Sequence, residues 1–185
     1  MKKWLLAGCI VILCINANAQ RTRFGLKAGV NLANYNDAAN TSGARTGFHV
    51  GGLAHIHINR SLAFQPELVY STQGAEFVGG KHKIDYINIP LLLQYMFRSG
   101  FRLETGPQVG FLTNAEWEEN NNTEHNIKRD FKSTDLSWAF GLGYLTESGF
   151  GLDARFNLGL ADVSKGGGDL MHRVWQFGVF YQFRR

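Results

Sequence analysis

Apolar residues occupy every second position in eight separate segments of this chain, and this alternation limits what the chain can fold into. In the first segment, residues 24–32, Phe, Leu, Ala and Val alternate with Gly, Lys and Asn. Because side chains of a β-strand point to opposite faces with a period of two, each segment is predicted to be a strand. The other seven predicted strands span residues 48–58, 62–70, 87–97, 101–111, 136–144, 150–160 and 175–183.

The connections between the predicted strands alternate between short and long. Tight turns are predicted at 59–60, 98–100 and 146–149, and long loops at 33–45, 73–83, 114–134 and 161–172. An even number of strands with short turns at one end and long loops at the other is typical of bacterial outer-membrane barrels. The sequence therefore predicts an all-β fold, an eight-stranded antiparallel up-and-down transmembrane β-barrel, with both termini and the short turns in the periplasm.

Alternation alone does not say which face points outward, because a soluble lipocalin-like barrel would bury its apolar face. The polar face of the predicted strands carries few charges and many glycines, among them Gly25, Gly29, Gly141 and Gly143. A face in contact with water would carry many Lys and Glu residues, whereas a narrow lumen needs small side chains. Aromatic residues also cluster at the strand ends, as at the two interfaces of a membrane. We therefore expect the apolar face to contact lipid.

The N-terminal segment has the organisation of a secretory signal peptide. Two lysines precede an apolar run over residues 4–15, and a small-x-small pattern at 17–19 predicts cleavage before Gln20. Residues 1–19 are accordingly predicted to be a signal peptide and residues 20–185 an outer-membrane β-barrel domain. Residues 6–9 resemble a lipoprotein processing box, but almost no apolar core precedes them. Both cysteines, Cys9 and Cys14, lie in the predicted signal, so cysteine chemistry is not expected of the mature chain.

Several short motifs follow one another along the predicted strands. They are Gly25-x-Lys27-x-Gly29-x-Asn31, Phe64-x-Pro66-Glu67-Leu68-x-Tyr70-Ser71, Tyr86-Ile87-x-Ile89-Pro90-Leu91-Leu92, Gly106-Pro107-x-x-Gly110-Phe111, Gly141-x-Gly143-Tyr144, Arg155-Phe156-x-x-Gly159-Leu160 and Tyr181-x-Phe183. In this order the chain resembles the PorT-type outer-membrane β-barrel family of Bacteroidetes, over nearly all of the predicted mature protein. The resemblance implies an eight-stranded barrel in the outer membrane. Because the family is named after a member linked to protein secretion, it also implies an accessory role in a secretion system as one possible function.

Equal numbers of basic and acidic residues fall on the predicted lumen face. They are Lys27, Arg102 and Arg155 against Glu67, Glu104 and Asp153. Because buried charges are costly unless they are paired, we expect these six residues to form a structural ion-pair network. The alternative is a constriction that selects ions, which a narrow eight-stranded barrel disfavours.

Three histidines, His49, His55 and His57, share one face of the second predicted strand. The spacing of His55 and His57 would let both bind one metal ion, but the sequence fixes no third ligand. They are therefore weak metal candidates, and lumen histidines satisfied by hydrogen bonds are the alternative. No cofactor is predicted.

Residue types that a membrane-embedded lipid or peptide hydrolase would need occur near the predicted outer rim. They are Ser71, His82, Asp85, Asp135 and Ser137. No nucleophile elbow, triad spacing or metal motif connects them, so we expect a protein that is not an enzyme.

The third predicted loop, residues 114–134, begins acidic and ends with Lys128, Arg129 and Lys132. We expect it to be mobile and exposed, with a basic end suited to lipopolysaccharide phosphates. The whole chain has 19 Lys and Arg against 15 Asp and Glu, so nothing indicates a nucleic-acid partner. We expect a monomer in the bacterial outer membrane whose partners are lipid, the barrel-insertion machinery and, in a secretion role, secretion-system proteins. The expected function is structural or mediated by the outer loops.

Overall fold

The computed structural model describes residues 22–36, 41–119, 123–165 and 171–183. Strands occupy nearly all of these residues, and one 3-10 turn lies at Lys128–Asp130. The strands are β1 Thr22–Tyr35, β2 Thr41–His57, β3 Leu62–Phe77, β4 Gly80–Met96, β5 Phe101–Glu119, β6 Glu124–Asn126, β7 Thr134–Leu145, β8 Phe150–Gly159 and β9 His172–Gln182. The predicted signal peptide, residues 1–19, lies outside the described residues, and so do its two cysteines.

Each strand pairs with its neighbours in antiparallel register, and the sheet closes on itself. β1 pairs with β2 on one side and with β9 on the other, while pairing of β4 with β5 completes the ring. The short strand β6 pairs with β5 alone and is an addition to the eight strands of the ring. The predicted eight-stranded antiparallel barrel is confirmed.

The two faces of the barrel wall are inverted relative to those of a soluble protein. Leu26 is 59% exposed, whereas its neighbour Lys27 is 4% exposed. The same contrast holds around the ring, with large apolar side chains outside and polar side chains inside. An apolar surface of this extent is stable only in contact with hydrocarbon. In the part of the chain that the structure describes, no helix is long and apolar enough to cross a membrane.

Three tight turns connect the strands at one end, which we call the short-turn end. They join β2 to β3, β4 to β5 and β7 to β8, as predicted. Gly100 and Gly149 each have φ of 93°, a left-handed backbone conformation that residues with a Cβ rarely adopt. These glycines let β5 and β8 begin directly after the preceding strand ends.

The opposite end, which we call the long-loop end, differs from the prediction. Residues 73–83 are not a long loop, because β3 and β4 continue as a hairpin to a turn at Val78 and Gly79. Residues 114–134 are not a single loop either, since β5 extends to Glu119 and then pairs with β6. Lys81, Lys83 and Asp85 take the outward positions of β4 in this hairpin, so the apolar alternation stops while the strands continue.

A β-bulge in β5 also interrupts the alternation at the long-loop end. The β4–β5 register shifts between Asp85 and Tyr86, whose partners are Asn114 and Leu112. The extra residue, Thr113, moves the inward face of β5 from even-numbered to odd-numbered residues. Leu112 and Ala115 are therefore both buried inside the barrel.

Candidate functional site in the closed bore

Five of the six charged residues predicted to face the lumen lie on four different strands and point to the same central level of the bore. Lys27 comes from β1, Glu67 from β3, Glu104 from β5, and Asp153 and Arg155 from β8. Each is 8% exposed or less. Strand alternation places them inside, and the closed ring brings side chains that are up to 126 residues apart into contact.

Arg155 is the centre of this charge network. Its two terminal nitrogens donate to the two carboxylate oxygens of Glu67 at 2.9 and 3.0 Å. Its Nε donates to Glu104 Oε1 at 2.8 Å. The guanidinium fork matches the flat carboxylate of Glu67 in two parallel bonds, which is the strongest geometry for such a pair.

Lys27 extends the charge network to a third carboxylate. Its ammonium group lies 3.3 Å from Glu67 Oε2 and 3.2 Å from Asp153 Oδ2. Glu67 thus receives hydrogen bonds from both Lys27 and Arg155, and its other oxygen also accepts from Gln65 Nε2 at 2.8 Å. Five of the six predicted residues are joined by ion pairs.

Arg102 is the exception, because within the described residues it makes no ion pair. It donates to Gln94 Oε1 at 3.4 Å, and Gln94 in turn donates to Glu104 at 2.8 Å. The Arg102 guanidinium carbon lies 5.2 Å from the centre of the Phe180 ring, within the range of a cation–π contact. Arg102 therefore belongs to the short-turn end of the bore rather than to the charge network.

The charge network closes the bore to water. The side chains of Lys27, Glu67, Glu104, Asp153 and Arg155 are each 4% exposed or less. A continuous aqueous channel through this level would have these side chains as its wall, and they would be wetted. The polar interior is thus packed like the core of a small barrel, with side chains filling the lumen.

The three candidate metal ligands are placed on one face of β2, but each ring has its own surroundings. His49 Nδ1 lies 2.7 Å from Asn31 Oδ1, and His55 Nδ1 lies 3.1 Å from Gln65 Oε1. The rings of His55 and His57 contact each other edge to face, with centroids 4.6 Å apart. Among the described residues, no three His, Cys, Asp or Glu side chains are grouped closely enough to hold a metal ion.

The candidate hydrolase residues are not assembled into a triad. Ser71 Oγ accepts hydrogen bonds from Asn31 and Gln73, and Ser137 Oγ accepts one from Gln108. In the described part of the chain, neither serine hydroxyl has a histidine partner. His82 instead lies 3.4 Å from the Tyr35 hydroxyl. Asp85 faces outward beside Tyr70, to which it is hydrogen-bonded, and Asp135 receives a hydrogen bond from the backbone N–H of Leu136.

A second closure of the bore, an apolar cluster at the long-loop end, was not predicted. We call it the plug. It consists of Tyr35, Ala75, Ile84, Tyr86, Leu112, Ala115, Phe131 and Val163, with Phe77 and Ile127 packed against it.

Two loop segments complete the plug from above. Phe131 and Ser164 form an isolated β-bridge, and the Lys132 N–H donates to the Val163 carbonyl at 2.8 Å. Phe131 is 5% and Val163 1% exposed. The expectation that residues 114–134 form an exposed segment is therefore wrong at Ala115 and Phe131. It is wrong because the loop has its own apolar anchor, whereas its charged residues Lys128 and Arg129 remain exposed.

His82 is a titratable group packed against the plug. Its ring contacts those of Phe77, Trp117 and Phe131, with centroids 4.7, 5.1 and 5.6 Å apart. The lipid-facing band of β4 ends at Ile87, and His82 lies five residues before it in the chain, toward the long-loop end. His82 is therefore outside the membrane-spanning segment. Burial lowers the pKa of His82 to about 4, because the charged form loses its hydration.

A closed eight-stranded antiparallel barrel with an apolar exterior and a charged, packed interior defines an outer-membrane β-barrel protein. The profile of the outer membrane protein β-barrel domain matches residues 16–165, and the chain belongs to this family. No curated protein gave a significant match.

Solved structures with the same fold include three small outer-membrane proteins. Neisserial surface protein A aligns with a TM-score of 0.63 at 17% identity, over 86% of this chain and 97% of that one. Ail, the attachment invasion locus protein of Yersinia pestis, aligns with a TM-score of 0.51 at 13% identity, over 88% and 97%. OprG of Pseudomonas aeruginosa gives 0.51 at 14% identity, over 88% and 96%. These identities show a shared fold.

Proposed function

We propose that this protein is a sealed outer-membrane barrel without enzymatic activity, which acts as a structural element of the envelope or through its long-loop end. The observation that carries the proposal is the double closure of the bore. The charge network around Arg155 blocks the centre, and the plug around Phe131 blocks the long-loop end. A barrel closed at two levels offers no path for a solute, so its function resides on its surfaces.

The long-loop end is the surface that we propose makes the contacts, and we propose that it faces the cell exterior. Three tight turns at the opposite end leave little surface there, as in barrels whose short turns are periplasmic. Lys128 and Arg129 are exposed at the long-loop end, and Lys132 pairs with Asp162 at 3.1 Å. Cations in this position are suited to the phosphate groups of lipopolysaccharide.

Conductance across a planar lipid bilayer tests the sealed barrel. The purified protein is expected to insert without producing discrete current steps, because both closures are intact. A variant with Glu67→Ala, Arg155→Ala and Phe131→Ala opens both closures, the centre of the charge network and the loop anchor of the plug, and its current shows whether the assay detects an opened bore. Steady ion-selective steps from the unmodified protein would contradict the proposal and favour a selective constriction.

Turnover assays test the absence of enzymatic activity. The purified protein is expected to hydrolyse neither phospholipid nor peptide, since Ser71 and Ser137 hydrogen-bond to amides. Hydrolysis that disappears in Ser71→Ala or Ser137→Ala would contradict this expectation.

We further propose that the chain is of PorT type, on the strength of its motif order. In the Gly25-x-Lys27-x-Gly29-x-Asn31 motif of that series, Lys27 and Asn31 serve as buried hydrogen-bond donors inside the barrel. Crosslinking in intact cells separates a structural role from a secretion accessory role. A barrel that acts alone is expected to crosslink to lipid and to no fixed protein partner. Reproducible crosslinks to secretion-system proteins would support the accessory role instead.

A further inference from the structure

The short-turn end of the bore opens into a cavity of about 410 Å³, which we call the mouth cavity. It is large enough for a small-molecule ligand. Four arginines line it, and Glu147 is the one carboxylate among its lining residues. The four are Arg23 from β1, Arg60 and Arg98 from two of the tight turns, and Arg102 from β5.

Within the described residues, no ion pair neutralises these arginines. The ion pairs of this part of the chain involve other side chains, so none of the four guanidinium groups lies within ion-pair distance of a described carboxylate. Four cations around one concave space repel one another, and the low-dielectric barrel wall strengthens their combined field. A bound anion would remove this repulsion.

The floor of the mouth cavity carries buried polar atoms without hydrogen-bond partners. Arg102 is 4% exposed, and its Nε has no partner among the described residues. Gln182 is 1% exposed, and both its amide nitrogen and its amide oxygen lack partners. Buried polar groups are nearly always satisfied in folded proteins, so the unsatisfied donors of Arg102 and Gln182 beneath the three other arginines indicate a ligand that accepts hydrogen bonds.

We propose that the mouth cavity binds an anion carrying one or more phosphate groups. The forked guanidinium group matches the oxygens of phosphate, and arginine is the residue most often used where such oxygens are recognised in a planar geometry. Arg102 and Gln182 would supply donors at the floor, and Arg23, Arg60 and Arg98 would supply charge at the rim. A single carboxylate has too few acceptor oxygens and too little negative charge to match this set of donors.

Two sources of phosphate reach the mouth cavity. Arg102 and Gln182 face the bore, which is open to soluble compounds at this end. Phe97, Phe101 and Tyr144 also line the cavity, and their exposed rings belong to the lipid-facing band at the membrane rim. A phosphorylated small molecule and a phospholipid headgroup therefore share the chemistry, and the experiment separates them.

The test is calorimetric titration of inorganic pyrophosphate into the purified protein in a maltoside detergent, which carries no phosphate. We expect saturable binding to one site. We expect Arg60→Gln combined with Arg98→Gln, both at exposed turn positions, to weaken binding at least about tenfold, the worth of one charge-assisted hydrogen bond. Arg102→Gln is expected to weaken it further if that variant folds.

The matched control is Arg173→Gln, an exposed arginine at the long-loop end that changes the net charge in the same direction. It should leave the affinity unchanged. The proposal is overturned if pyrophosphate does not bind saturably, if Arg173→Gln weakens binding as much as the rim variants, or if citrate binds more tightly than pyrophosphate.

A competition arm identifies the source of the phosphate. Short-chain phosphatidylglycerol in the micelle should displace pyrophosphate if a headgroup enters the mouth cavity, whereas short-chain diacylglycerol, which lacks phosphate, should not. Pyrophosphate binding that phosphatidylglycerol leaves intact supports the site and assigns it to a soluble phosphorylated compound. Equal displacement by both lipids would contradict a phosphate-specific site.

Discussion

Arg155 and Glu67, which are 88 residues apart in the chain, meet at the centre of the barrel in a two-pronged ion pair with hydrogen bonds of 2.9 and 3.0 Å. The pair joins β8 to β3 across the bore rather than along the sheet. Neither residue is next to the other's strand in the ring, so only a closed barrel brings them together. The ion pair thus depends on closure and also blocks the lumen.

Substituting Glu67→Ala is expected to destabilise the barrel by about 1–3 kcal/mol, because the buried donors of Arg155 and Lys27 that point at Glu67 lose their acceptor. Arg155 would keep Glu104 alone, and Lys27 would keep Asp153 alone. The measurement is the denaturant midpoint of the protein folded in lipid vesicles.

Glu147→Ala serves as the control for this prediction, because it removes the same charge from an exposed turn. Its midpoint should stay close to that of the parent. A Glu67→Ala protein that resists denaturant as well as the parent would show that the charge network contributes nothing to stability.

Substituting Gly151→Ala tests how tightly the short-turn end of the bore is packed. A methyl group on Gly151 would overlap the Phe180 ring, which must then move away from Arg102. Overpacking of this kind typically costs about 1–3 kcal/mol, again visible in the denaturant midpoint. At Gly52 the nearest atom to an added methyl group is 3.8 Å away, so Gly52→Ala should be neutral. Equal midpoints for the two variants would mean that the bore is loose.

Acid is expected to loosen the plug. The pKa of His82 is about 4 in the folded protein and 6.5 in an open or unfolded chain, so the open form binds the proton more readily. The plug is therefore most stable above pH 6.5 and loses stability as the pH falls toward 4. His172 lies against Tyr35 and Tyr86 in the same cluster.

Trp117 reports this transition, because its ring contacts that of His82 with centroids 5.1 Å apart. In a variant that retains only this tryptophan, its fluorescence is expected to change between pH 6.5 and 4. His82→Phe should reduce the change. A pH profile that is the same with and without His82 would assign the transition to other groups.

Substituting Phe131→Ala is expected to move the same transition to higher pH. Phe131 covers the His82 ring, so its removal exposes the imidazole to water and brings the His82 pKa closer to 6.5. The Trp117 fluorescence midpoint measures the shift. A midpoint that stays in place would mean that Phe131 does not shield His82.

The strand faces could be predicted from the sequence, because one pattern fixes both the strand and its orientation. Leu26 and Lys27 alternate as lipid-facing and bore-facing residues, and the same rule placed Glu67 and Arg155 inside. The alternation could not predict which residues of the charge network pair with each other. Whether Arg102 or Arg155 meets Glu67 depends on the register across the closed ring, and the sequence does not encode this locally.

The plug could not be predicted, because two features hide it. The bulge at Thr113 reverses the inward face of β5, so Leu112 and Ala115 do not belong to one alternating series. Phe131 is a single apolar residue between charged neighbours, which resembles an exposed loop. The mouth cavity was missed for a related reason, since Arg60 and Arg98 lie in separate turns that only the barrel brings to one rim.

Quenching by brominated lipids tests most directly the central claim that hydrocarbon surrounds the apolar face of this barrel. Trp175 and Trp138 are 50% and 38% exposed on that face, while Trp117 contacts the plug. Each is studied with every other tryptophan replaced by phenylalanine, in vesicles whose lipid chains carry bromine. If hydrocarbon surrounds the apolar face, Trp175 and Trp138 will be strongly quenched and Trp117 only weakly. Strong quenching of Trp117 with the other two unaffected would contradict this claim.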